Sequence, residues 1–330
     1  MTSTTSLALP QARTRKENMR AWIAKYYFVP ALVIAAVLLV VNLGLQPNFN
    51  WGQQLLIFAP FAIVAMASSF APMVGGGGID LSISPVMTFT SAVYVIWLAP
   101  AGVNPFIAVP LVLLAGVVVG IVNGLIVTRL RVSPIIATLC MNFIIIGVCL
   151  KVAPQATVLT SGWTKDFARD GLFGISAGIV LVAIPVILWA ILRLIPFART
   201  LLWVGSNDVA AFASGVNVDL VRVVTYALGG LVAGVGGIAL VTLSGTVDAS
   251  TASSYLVPGL VAMALGGIAV EGGRGGMAGP IFGAAIIFLL QGALTEAGFA
   301  QAWLQVVYGA LLVGAIIFSK KLSITGRSAS

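Results

Sequence analysis

Apolar residues fill this chain in long runs, separated by short polar or glycine-rich stretches. A membrane-spanning helix needs about 20 predominantly apolar residues. On that measure the runs read as ten spans, near 28–46, 54–75, 83–100, 106–128, 133–153, 174–195, 221–243, 256–271, 278–295 and 302–319. No run shows the alternating pattern of a membrane β-barrel. The pattern predicts an all-α integral membrane protein of about ten transmembrane helices. A tail over 1–27 precedes a membrane domain over 28–319, and a second tail covers 320–330.

One stretch breaks the apolar rhythm more than any other. Residues 68–94 read SSFAPMVGGGGIDLSISPVMTFTSAVY, with four glycines in a row at 75–78, then Asp80, Ser82, Ser84 and Pro85. Lipid offers no hydrogen bonds, so a chain leaves the helix at membrane depth only where protein or a wet cavity satisfies the freed groups. An interrupted apolar helix that carries an acid points to a transport path. Gly77, Gly78, Asp80, Ser82 and Ser84 are the candidate path residues. The same residues also read as a tight turn in which Asp80 caps the following helix, and the two readings are compatible. Partners for Asp80 are expected among the backbone donors of 75–78 and the hydroxyls of Ser82 and Ser84.

Composition agrees with a membrane protein: 60% of the 330 residues are hydrophobic and 8% are charged, against about 25% charged in soluble domains. Mean hydropathy is +1.11. The net charge of +8 would fit nucleic acid, but its distribution fits topology instead. With the N-terminus inside, Arg13, Arg15, Lys16, Arg20, Lys25, Arg129, Arg131, Arg193, Arg199, Arg222, Arg274, Lys320, Lys321 and Arg327 fall inside, and Lys151, Lys165 and Arg169 outside. Fourteen against three follows the positive-inside rule, puts both termini in the cytoplasm and makes no case for nucleic acid.

Several chemistries are excluded. The chain has no histidine, so imidazole catalysis and histidine-ligated metal are out. Cys140 and Cys149 sit in one apolar run at a spacing that suggests neither zinc nor a disulfide framework. No lysine follows a glycine, so no phosphate-binding Walker loop exists and no ATP, magnesium or other cofactor is expected on this chain. No nucleophile with an activating base is visible, so an enzyme is not expected.

Three further segments stand out. The outer connector near 153–171 holds Gln155, Trp163, Asp166 and Asp170, an aromatic among polar groups that is open to an external partner or to plain solvation. The inner loop 196–220 contains a short helical pattern from Asn207 to Ser214. Asn207 or Asp208 would cap its start and Gly215 its end. A second glycine-rich hairpin, 263–283, carries Gly266, Gly267, Glu271, Gly273, Arg274 and Gly276, with Glu271 and Arg274 close enough in sequence to pair.

At these residues a family resemblance emerges. GGIDLS at 77–82, WVGSNDVAAFASGVNV at 203–218 and LGGIAVEGGRGGMAGPIFGA at 265–284 resemble the permease subunits of ribose-type ABC importers, over about 48–318. The resemblance implies a bacterial inner-membrane permease that pairs with a second permease subunit, identical or not. It also implies a separate cytoplasmic ABC ATPase and an extracytoplasmic binding protein that delivers a monosaccharide or similar polyhydroxylated solute. By the same resemblance Asn207, Asp208, Ala210, Ala211, Phe212 and Gly215 form the coupling helix that docks into the ATPase. Here Asp208-Val209-Ala210 stands where the family usually has Glu-Ala-Ala, and GGGGID replaces the family's TSGID. Branched-chain amino acid permeases share the superfamily and are the first alternative. An ion-coupled carrier that uses Asp80 is the second.

Overall fold

The structure is a computed structural model that describes residues 26–46, 48–160 and 162–327. The basic N-terminal segment with Arg13 to Lys25 lies outside the described residues. The described residues are mostly helical. Its elements are α1 (Val29–Leu45), α2 (Trp51–Met73), α3 (Ile83–Ala92, continuing as π-helical turns over Val93–Leu98), α4 (Pro105–Arg129), α5 (Pro134–Val152), α6 (Trp163–Asp170), α7 (Ala177–Leu194), α8 (Phe197–Ser206), α9 (Asp208–Ala213), α10 (Val218–Ser244), α11 (Leu256–Leu265), α12 (Ala278–Glu296) and α13 (Gln301–Arg327). Two short strands, β1 (Thr157–Val158) and β2 (Thr246–Val247), pair antiparallel.

Local chemistry sets the helix ends. Asn50, Asn104 and Asn217 accept hydrogen bonds from the backbone N–H of Gln53, Phe106 and Leu220, which starts α2, α4 and α10. Pro105 and Pro134 open α4 and α5 at the position where a missing N–H costs nothing. Gly245, at φ 63°, ends α10.

Among the described residues six helices are long and apolar enough to cross a membrane: α2, α4, α5, α7, α10 and α12. The other four expected spans are occupied by shorter apolar helices, α1, α3, α11 and the first part of α13. The run expected over 256–271 stops being helical at Leu265, where Gly266 and the left-handed Gly267 (φ 78°) turn the chain. The helix expected to end near 319 instead runs on to Arg327. The connector over 153–171 holds α6 and β1, and the loop over 196–220 holds an additional helix, α8.

Burial sorts the helices. α2 and α10 are mostly buried and form the centre, whereas α4, α5 and α7 are buried along only a minority of their length. Phe106, Ile107, Leu114 and Val118 on α4, and Val33, Val37 and Val40 on α1, face outward as apolar surface suited to lipid. α10 lies against α4 at van der Waals range through glycine. A Cβ on Gly116 would run into the carbonyl of Gly230, and one on Gly124 would stand 2.7 Å from Val223 Cα. Small residues four apart on one face permit this approach where no hydrophobic force drives helices together.

Candidate functional site: a broken helix held by its neighbours

α2 ends at Met73 and α3 begins at Ile83. Between them Gly75, Gly76 and Gly77 all take left-handed backbone angles, φ 79°, 68° and 70°. Gly77 has nothing near its missing Cβ, so its requirement is conformational. At Gly78 the requirement is space, because a Cβ would collide with the Ala71 carbonyl.

Asp80 is 3% exposed. Its Oδ1 accepts from the backbone N–H of Ser82 at 2.8 Å and from the Ser82 hydroxyl at 2.6 Å. This is an Asx-type turn that leads the chain into α3. The Ser82 Oγ in turn accepts from Asn123 Nδ2 of α4 at 2.8 Å. The expected partners for Asp80 are thus half corrected. Ser82 serves, but Ser84 donates to the Ala252 carbonyl instead. The amides of Gly75 and Gly78 go to the carbonyls of Pro72 and Gly75 at 2.8 and 3.2 Å. Four glycines form two tight local turns and leave the carboxylate to the residue two places on.

The non-helical backbone is satisfied from α5. Thr138 Oγ1 accepts from Leu81 N–H at 3.1 Å and lies 3.1 Å from the Ile79 carbonyl. Asn142 Nδ2 donates to the Leu81 carbonyl at 2.8 Å. Side chains of a neighbouring helix therefore replace the helical bonds that residues 79–81 lack, as a broken helix in lipid requires. On the far side of α3, Ala252 gives its N–H to Thr88 at 3.1 Å and its carbonyl accepts from Ser84. The loop that carries Ala252 is itself closed by Asp248, which accepts from the N–H and hydroxyl of Ser250 at 2.6 and 2.7 Å. These Ser250 contacts hold the Asp248 carboxyl below the usual carboxylate range.

The loop over 196–220 meets the break. A Cβ on Gly75 would stand 2.9 Å from the carbonyl oxygen of Gly205, at the end of α8. Gly272, in the second glycine hairpin, would crowd both Gly205 and Gly75, and the Gly273 N–H donates to the Met73 carbonyl at 3.2 Å. Gly273 thus belongs to the same cluster. Gly266 instead packs against Gly279 at the α11–α12 crossing, Gly267 and Gly276 pack on Tyr27, and Glu271 and Arg274 are exposed in the turn.

α9 begins as expected: Asn207 Oδ1 accepts from Ala210 N–H at 2.9 Å, and Gly215 at φ 86° closes it. Val209 and Phe212 are 74% and 73% exposed, and Ala210 is exposed beside them. Ala211 is fully buried, so it anchors the helix rather than offering a docking face. Asp208 is also not free, since its Oδ2 pairs with Arg222 Nη2 of α10 at 2.8 Å. In the connector over 153–171, Trp163 is half-buried against Tyr94, ring centroids 6.0 Å apart, so it is a packing residue and not an open aromatic.

Thr138, Asn142, Asn123, Arg222 and Gly205 are the residues that sequence reasoning missed. Three of them were visible as isolated polar residues inside apolar runs.

A family model for branched-chain amino acid transport system permease components matches residues 50–316. The ribose import permease of Bacillus subtilis is 30% identical over 300 residues, covering 90% of this chain and 92% of that protein. The fructose import permease of Rhizobium meliloti is 27% identical, covering 87% and 83%. The autoinducer 2 import permease LsrD of Yersinia enterocolitica is 26% identical, covering 93% of each. No solved structure matches the chain. A helical membrane protein with a protein-satisfied break in one central helix, alike to these permeases along nearly its whole length, belongs to the branched-chain amino acid transport system permease component family.

Proposed function

We propose that this chain is the translocating subunit of an ATP-driven sugar importer. The observation that carries the reading is the pairing of an exposed capped helix, α9, with a broken helix at the same end of the molecule. α9 presents Val209 and Phe212 outward, and its flanking Gly205 lies against Gly75. A cytoplasmic ATPase docked on α9 would have a short mechanical route to the break. Sugar is favoured because relatives named for ribose and fructose import align along most of the chain. A branched-chain amino acid, the substrate in the family's description, is the alternative.

In this reading the ten helical segments all traverse the bilayer, with both termini cytoplasmic, the domain over 28–319 forming the path and the tails at 1–27 and 320–330. Two packing relations support that topology. The segments around Gly75, Gly205 and Gly272, which it puts inside, touch one another. β1 and β2, which it puts outside, pair with each other. The permease works as a dimer in the bacterial inner membrane and receives substrate from an extracytoplasmic binding protein. The hairpin tip Leu172–Ile175 suits that contact, with Phe173 96% exposed at φ 52°. No cofactor is assigned to this chain; ATP and magnesium sit on the partner.

Phe212→Asp tests the docking face. Loss of co-purifying ATPase and of uptake supports the reading, and full retention of both contradicts it.

A further inference from the structure

We propose that Arg222 and Tyr226 are positioning residues that tie the ATPase-facing helix α9 to the Asp80 turn. The proposal rests on the ATP-driven reading above and names how the signal crosses the protein. Four groups lie in sequence. Asp208 is the first residue of α9, and its carboxylate holds the Arg222 guanidinium at 2.8 Å. The Arg222 side chain is only 21% exposed. The guanidinium lies directly over the glycine break, because a Cβ on Gly76 would stand 3.2 Å from Nη2. Tyr226 follows Arg222 by four residues, on the same face of α10.

Tyr226 is 2% exposed, and its hydroxyl is buried with no hydrogen-bond partner. The Tyr226 side chain lines, together with Arg222, the cavity beside Gly75 and Gly76. Across the turn, Asn123 Oδ1 is likewise buried and unpartnered, while its Nδ2 is engaged by Ser82. Buried polar groups without partners are uncommon and costly. Asn123 meets the turn through Ser82, and Tyr226 stands one helical turn along α10 from Arg222, which covers Gly76, so each can offer this turn a further hydrogen bond. A cavity of about 340 Å³, lined in part by Gly75, Gly76, Thr128, Arg131, Arg222 and Tyr226, gives the Arg222 side chain room to move. When α9 shifts with its ATPase, Asp208 draws Arg222 with it. The Tyr226 hydroxyl then donates to the Asp80 carboxylate, and the turn that leads into α3 is re-set.

The test uses the whole importer in vesicles: this permease with its ATPase and binding protein. Cys140 and Cys149 are replaced, and Leu81→Cys, beside Asp80, reports on the break through maleimide labelling with and without ATP and vanadate. The expected result is a several-fold ATP-dependent change in labelling that Arg222→Leu abolishes and the swap Asp208→Arg with Arg222→Asp restores in part. Tyr226→Phe should likewise abolish the change while leaving the melting temperature at or above the parent's, since the deleted hydroxyl has no partner. An ATP response in Arg222→Leu and Tyr226→Phe equal to the parent's overturns the relay and leaves the ATP-driven reading standing. No ATP response in the parent overturns that reading and the relay together.

Discussion

Gly75 and Gly205 meet backbone to backbone, so that a single methyl group on Gly75 would stand 2.9 Å from the carbonyl oxygen of Gly205. One residue belongs to the break between α2 and α3, and the other to the end of α8, just before α9. The contact is the point at which the loop over 196–220 touches the interrupted helix, and three glycine segments converge on it.

Gly205→Val should therefore destabilise the protein, since a Cβ there would collide with the Met73 carbonyl and stand 2.6 Å from Gly273 N. A clash in a closely packed site costs about 1–3 kcal/mol, readable as a lower melting temperature in detergent. Gly147→Ala in α5 meets nothing within 4 Å. It should be neutral, or stabilising by up to about 1 kcal/mol.

Asn142→Leu should cost about 1–3 kcal/mol, because the Leu81 carbonyl then loses its side-chain donor in a buried setting. Asp80→Asn should keep part of the transport, because an amide oxygen still accepts from Ser82. Asp80→Leu should lose transport. Uptake and thermal melting on the same preparations separate a folding loss from a functional one.

Much of this was legible in the sequence. The apolar runs placed the cores of the ten apolar helices but not α6 or α8, and GGGGID marked the break. Asn207 and Gly215 marked the ends of α9. What the sequence did not disclose were relations between distant segments. Thr138 and Asn142 are 57 and 61 residues from the backbone they satisfy at Leu81, and nothing local announces such a pairing. Ala211 lies inside a short helix whose six residues are too few to define a face by periodicity, so only the fold reveals that it points inward. The helix α8 was not read within the loop over 196–220, because its ten residues mix apolar and basic positions and are too few for a spanning run.

Ala211→Glu should accordingly fail by misfolding, since a charge at a fully buried position is strongly unfavourable. Phe212→Asp should fold normally and lose ATPase association, and uptake with it. Size-exclusion profiles and co-purification distinguish the two variants.

Topology has its own test. In a background without Cys140 and Cys149, cysteine at the exposed position Lys165 should label from outside intact cells, and cysteine at Arg274 should label only after permeabilisation. The reverse pattern would overturn the ten-span arrangement.

The central claim is that ATP, and not an ion gradient through Asp80, drives a sugar through this chain. Asp80 is held by the N–H and hydroxyl of Ser82, two residues away, as a turn-forming carboxylate is. The most direct measurement is labelled ribose and fructose uptake into proteoliposomes that hold the permease, its ATPase and its binding protein. Uptake should require ATP inside, stop when the ATPase's Walker lysine is replaced, and be unchanged when the pH gradient is collapsed. Uptake without ATP that follows the pH gradient, and loses that dependence in Asp80→Asn, would contradict it.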